Sequence, residues 1–200
     1  MSKPKSHTQD QVAAILEELK SQTDRGTAII AAAVLDDLLH QVLVARLIQL
    51  GSERHEGLFE RTGAPLSSFS AKIEMCFAVG TLSNQARLAM HLIRDVRNAF
   101  AHRIEQITFD HPTVATMIQA RIMSSLKKPG RSNRDMFIDS FSAVAFIIYG
   151  TLSAKDIRIK SLEETHAAYF LEVLAGYSEV LREAIREVQV RDRNPSPTQE

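Results

Sequence analysis

The 200-residue chain has one cysteine, no tryptophan, eight glycines, six prolines and no excess of charge of either sign. A lone thiol, Cys76, cannot build a disulfide framework and suits a reducing compartment. It lies in the apolar run Ile73-Glu74-Met75-Cys76-Phe77-Ala78-Val79 and reads as packing rather than as a nucleophile. With 24 basic against 24 acidic residues, no net field draws the chain to nucleic acid or to an anionic membrane. The polar start, Met1 to Lys5, lacks the apolar centre of a secretion signal. No apolar run approaches the ~20 residues that span a bilayer; the longest, Ala28 to Leu35, is stopped by Asp36 and Asp37. The expectation is a soluble, cytoplasmic protein. Cys-x-x-Cys is missing, and His7, His40, His55, His91, His102, His111 and His166 form no close ligand pair, so no metal or other cofactor is expected. Around Gly26 the glycine spacing of a nucleotide-binding loop is also missing.

What is present reads almost wholly as helix, with glycine and proline placed mostly where segments change. The spacing predicts a first helix over Gln9 to Gln22, with Val12, Ile15, Leu16 and Leu19 on one face. Thr23 or Asp24 caps a second helix that reaches about Leu50 and is stopped by Gly51. Its apolar positions cover too wide an arc for a surface stripe, which puts it at the centre of the core. A short helix over Arg54 to Arg61 follows, then Phe69 to Val79, capped by Ser67 or Ser68 and ended by Gly80. Ser83 opens a helix running to about His102, and Ile104 to Phe109 could be a short extended piece. Pro112, at a first helical position, starts a helix through about Ser124. After the clear loop Lys127 to Arg134 comes a helix from Asp135 to about Leu152.

A long amphipathic helix, Leu162 to about Val190, ends the folded part, carrying Tyr169, Val173, Tyr177, Val180, Ala184 and Val188 at spacings of three and four. At 1.5 Å per residue it is roughly 40 Å long. That exceeds what a small core requires, so part of its face is expected to pack on a second subunit. The reading is an all-α multi-helix bundle with a long C-terminal amphipathic helix. It is one domain over residues 1–190 with a disordered tail over 191–200, assembled as a homodimer.

Chemistry-bearing residues concentrate in Ile93-Arg94-Asp95-Val96-Arg97-Asn98-Ala99-Phe100-Ala101-His102. On a helix Ile93, Val96 and Phe100 take the buried side, while Arg94 and Asn98 share another face. Arg97 and His102 stand roughly 140° apart on an ideal helix and converge only if it frays near His102. Two readings stay open. In one, Arg94 and Arg97 pair with Asp36 or Asp37, Asn98 and His102 bond carbonyls freed at the helix end, and the histidine complements the helix dipole. In the other, His102 takes the proton of a ribose 2′-hydroxyl, Arg97 stabilises the phosphorane, and Asn98 holds the imidazole or a phosphate oxygen.

Three further clusters carry less. In Thr23 to Ile30, Asp24 reads as a cap and Gly26 as a site of close backbone approach. Ser67, Ser68 and Ser70 read as helix caps that could also hold an anion, with Lys72 adding charge. Lys127, Lys128, Arg131 and Arg134 gather positive charge without aromatic residues and read as a solvated loop.

Several of these blocks, taken in order, resemble the mannitol operon repressor (MtlR) family. They are Asp24-Arg25-Gly26-x-Ala28-Ile29-Ile30, Leu35-Asp36-Asp37-Leu38-Leu39, Pro65-Leu66-x-x-Phe69-Ser70-Ala71-Lys72-Ile73 and Ile93-Arg94-x-Val96-Arg97-Asn98-x-Phe100-Ala101-His102. The resemblance runs from about Asp24 to Phe109, less than half the chain. It implies an all-helical bacterial protein linked to repression of sugar-alcohol use. It also implies no recognisable DNA-binding module, so that repression acts through a partner or an atypical surface. The Arg-Asn-x-x-Ala-His pattern is also similar to the HEPN superfamily, whose RNase members use Arg-x4-6-His. Many of those carry tyrosine two residues after the histidine, where this chain has Ile104.

Together these readings favour a regulator that works through protein–protein contact with a transcription-related partner, over an enzyme. Asp24, Arg25, Asp36, Asp37, Lys72, Arg94, Arg97, Asn98 and His102 form the expected polar network or binding surface. The alternative is a metal-independent RNase using Arg97, Asn98 and His102.

Overall fold

The structure, a computed structural model, describes residues 8–153 other than Ile48, Met123 and Lys128, with side chains described from Val12 to Leu152. Among the described residues seven α-helices follow in order: α1 (Thr8–Ser21), α2 (Asp24–Arg46), α3 (Ser52–Phe59), α4 (Phe69–Ala78), α5 (Asn84–Ala101), α6 (Pro112–Arg121) and α7 (Asn133–Ser153). A 3-10 turn, Ser124–Leu126, lies before α7, and no strand occurs among the described residues. The chain divides into two compact units, residues 1–158 and 159–200, and all that is described lies in the first. The expected helix from Leu162 to Val190, the tail over 191–200 and the subunit contact argued from that helix fall outside the described residues.

Helix α2 is the hub, packing against α1, α4, α5 and α7. Its buried positions Ala28, Ala31, Leu35, Leu38, Leu39 and Leu43 recur every three or four residues and face those neighbours. The helix ends at Arg46, short of the expected Leu50. Leu47 is extended (ψ 163°) and closes the last turn through its N–H to the Leu43 carbonyl. Gly51 is not the stop but the residue preceding α3. The early exit lets α3 fold back, so that Phe59 packs edge-on against the His40 ring at 4.6 Å.

Helices α2 and α7 are each long and apolar enough to cross a membrane. Counting uninterrupted apolar runs misses this, because Asp36 and Asp37 break the run without lowering the average of the helix. Both helices put their buried faces into the core.

Serine caps set two helix starts, Ser68 accepting from the Ala71 amide and Ser83 from the Ala86 amide. Gly80, at φ 73°, ends α4 in a left-handed turn that a side chain would strain. The stretch Ile104 to Phe109 forms no strand; it anchors itself by burying Ile107 and Phe109. Phe100, Phe109 and Phe137 stack in series at 5.1 and 5.0 Å, tying α5, this connection and α7 together. Cys76 is buried on α4, and burial pushes its thiol up to about 11, which leaves it protonated and unreactive at neutral pH.

Candidate functional site

Two polar clusters flank α5, and they differ in how fully their groups are bonded. The first sits where α1 turns into α2. Thr23, not Asp24, is the helix cap, its hydroxyl accepting from the Gly26 amide. Gly26 is needed here: a Cβ would come within 2.9 Å of Gln22 Oε1 and 3.2 Å of Thr23 Oγ1. Freed from capping, the Asp24 carboxylate accepts the Phe109 N–H at 3.0 Å and pairs with Arg134. Arg134 Nη2 also lies 3.0 Å from the Leu19 carbonyl, 3.2 Å from that of Lys20 and 3.0 Å from Thr27 Oγ1. Those carbonyls are the orphans at the end of α1, where a cation also suits the helix dipole. Arg25 Nη2 donates to the carbonyls of Arg103 and Glu105, both at 2.8 Å, and holds the start of the 103–109 connection on α2. A cavity of about 480 Å³ opens beside this clasp, lined by Thr23, Asp24, Arg25, Gln106, Thr108 and Arg134 among others.

Arg134 corrects the reading of its loop as solvated: α7 begins at Asn133, two residues earlier than expected, and carries Arg134 inward. Arg131 of the same stretch pairs with Asp139.

The second cluster is the end of α5. Ile93, Val96 and Phe100 are fully buried, as helical phase requires. Arg94 does not reach Asp36 or Asp37. Its guanidinium bonds Asp95 at 2.7 and 3.0 Å and Ser70 Oγ at 2.6 Å. Asp95 also takes a bond from Arg121 at 2.7 Å. Burial opposes the Asp95 charge, but the bonds from Arg121 and Arg94 outweigh it and hold the carboxyl below the usual range. Asp36 instead pairs with the buried Lys72 at 2.8 Å, and Asp37 accepts from Gln41 at 2.7 Å. The neighbouring residue is the nearer partner in the first case, and α4 rather than α5 faces Asp36 in the second.

The remaining three side chains stand apart. Arg97 and Asn98 are half-buried, and His102 is exposed at the position that ends α5, its backbone N–H donating to the Asn98 carbonyl at 3.1 Å. Among the described residues, none of the three side chains has a hydrogen bond or ion pair. The expected network therefore separates into four bonded groups (the clasp with Asp24 and Arg25, the Lys72–Asp36 pair, the Asp37–Gln41 bond, the Arg94–Asp95 pair) and an unbonded trio.

Arg134, Asp95, Arg121 and Ser70 were not in the sequence-derived set. For Arg134 no local signal exists, since Asp24 lies 110 residues away. One further pairing was invisible in the spacing: the His40 and His55 rings meet edge-on at 5.3 Å. No group of three potential metal ligands occurs among the described residues.

No family model matches this chain, and no curated protein matches it. Among solved structures, a chain of the X-ray structure of the MtlR–HPr complex from Escherichia coli is similar, with a TM-score of 0.57 at 15% identity. The match covers 68% of this chain and 97% of that one. The fold is MtlR-like. Near-complete coverage of the other chain means that the MtlR-like part is a whole bundle, rather than a shared helical hairpin.

Proposed function

We propose that this protein is an MtlR-like cytoplasmic regulator of sugar-alcohol use, acting by binding a protein partner rather than by reading DNA through a recognisable motif. The observation that carries this reading is the fold. A bundle similar to this one over 97% of its length was crystallised with a protein, HPr, bound to it. The ordered MtlR-type blocks in α2, α4 and α5 and the zero net charge support the same reading. An HPr-type protein is the proposed partner. Isothermal titration of the purified chain with HPr from its own bacterium should show saturable one-to-one binding. Promoter DNA retained specifically by the chain alone would contradict the partner-mediated mode.

The RNase reading keeps one observation in its favour: the side chains of Arg97, Asn98 and His102 are not consumed by internal bonds. In that reading His102 is the base and Arg97 the stabiliser of the phosphorane. Cleavage of single-stranded RNA that vanishes in His102→Ala would establish it. Equal cleavage by wild type and mutant would remove it.

A further inference from the structure

Among the described residues, the half-buried or buried cations are Arg25, Arg46, Lys72, Arg87, Arg94, Arg97 and Arg134. Every one of them but Arg97 has a partner. With no protein partner, the Arg97 guanidinium keeps its donors for solvent or for a group that replaces solvent, so its surroundings matter.

Two contacts fix where Arg97 lies. Glu74 of α4 meets both Arg87 (2.8 Å) and His91 (2.6 Å) of α5, while Ser70, near the start of α4, meets Arg94. The two helices are thus antiparallel, and the residues of α5 after Arg94 run on past the beginning of α4. Arg25, bonded to the carbonyls of Arg103 and Glu105, makes α2 antiparallel to α5 as well. Counting back from that contact sets Arg97 level with the stretch from Ile29 to Ala33. On this outer face Ile29 is 41% exposed, Ala33 and Ala101 are exposed, and Ile104 beyond the helix end is fully exposed. One unpaired cation therefore sits among apolar side chains that face solvent.

We propose that this α2–α5 face docks a segment of the protein partner that presents a carboxylate flanked by apolar side chains, with the carboxylate pairing to Arg97. The inference rests on the partner-binding reading above and names the surface used. The apolar surroundings decide for such a segment over RNA. Ile29 is 41% exposed and Ile104 fully exposed beside this stretch, and Asp37 lies two turns along from Ile29 on the exposed side of α2. A chain of phosphates following α2 from Arg97 would meet apolar side chains and then an anion, whereas a single carboxylate flanked by apolar side chains matches the face.

The test is titration with purified HPr of wild type, Arg97→Glu, Arg97→Lys and, as a control on α3, Arg54→Glu, with a thermal melt of each. Because Arg97 has no internal partner, its variants should melt as wild type does. Arg97→Glu should weaken HPr binding by about tenfold or more, Arg97→Lys should retain most of it, and Arg54→Glu should leave it unchanged. Wild-type binding undiminished by Arg97→Glu overturns this docking site and leaves the partner reading standing. No wild-type binding of HPr overturns both. Binding of a single-stranded RNA probe that is lost in Arg97→Glu, in place of HPr binding, overturns the site as one for protein.

Discussion

The start of α2 and the end of α5 carry similar residues, arginines beside small polar groups, and use them in opposite ways. At the start of α2, Arg134, Asp24, Thr27 and Arg25 spend their bonds inward: on the last carbonyls of α1, on the Phe109 amide, and on the carbonyls of Arg103 and Glu105. At the end of α5, Arg97, Asn98 and His102 have no such bonds among the described residues. An arginine that saturates its donors inside the fold is held there by the fold. One left half-buried without a partner in the protein is available to something outside it. Composition does not separate the two, but bonding does.

That contrast has graded consequences. Arg134→Ala should have the largest effect, leaving Asp24 and the α1 carbonyls without their donor. A loss of about 2–4 kcal/mol is expected, read as a drop in Tm of roughly 5–10 °C. Removing Arg25 should cost less, about 1 kcal/mol. Its signature should be faster amide exchange confined to residues 103–109, seen by hydrogen–deuterium exchange. Uniform exchange across the bundle would mean that Arg25 does not pin this connection specifically.

A smaller effect should come from pH at the far end of α2. Burial, with help from the Lys72 cation and His55, holds the His40 imidazole below its ordinary value of 6.5. The folded state thus favours neutral His40. Its contribution is fully present above about pH 6.5 and is lost as pH falls through the lowered value. Stability should decline as pH falls below about 6.5, by less than the loss on removing Arg25. His40→Phe should flatten that decline, because the ring contact with Phe59 survives without a titrating group. An unchanged slope would place the sensitivity elsewhere. Smallest of all, Asn98→Ala should shift stability by less than about 0.5 kcal/mol, as for surface positions without structural bonds.

The helices were legible because helical phase is local. The cap at Ser83, the proline at the start of α6 and the Phe69 start of α4 all follow from residues within one turn. The exit of α2 at Arg46 was not legible, since Gly51 offers a stronger local stop, while the contact that goes with the earlier turn, Phe59 on His40, joins residues 19 apart. At the polar sites several of the residues that bond were visible, but not whom they bond. Lys72 and Asp36 both stood in the set, yet their bond spans 36 residues, and only the parallel packing of α2 and α4 brings them together. Arg134 was read as a loop cation because every partner it has lies more than 100 residues upstream. The identity of a titratable residue is written locally, whereas its satisfaction is a property of the fold.

The most direct measurement is a paired one on Arg97→Ala: its melting temperature, and its affinity for HPr, each against wild type. A melt within about 1 °C of wild type together with clearly weakened HPr binding is expected of a side chain kept for a partner. A melt several degrees lower with HPr binding intact would contradict this, and would return Arg97 to the scaffold alongside Arg134.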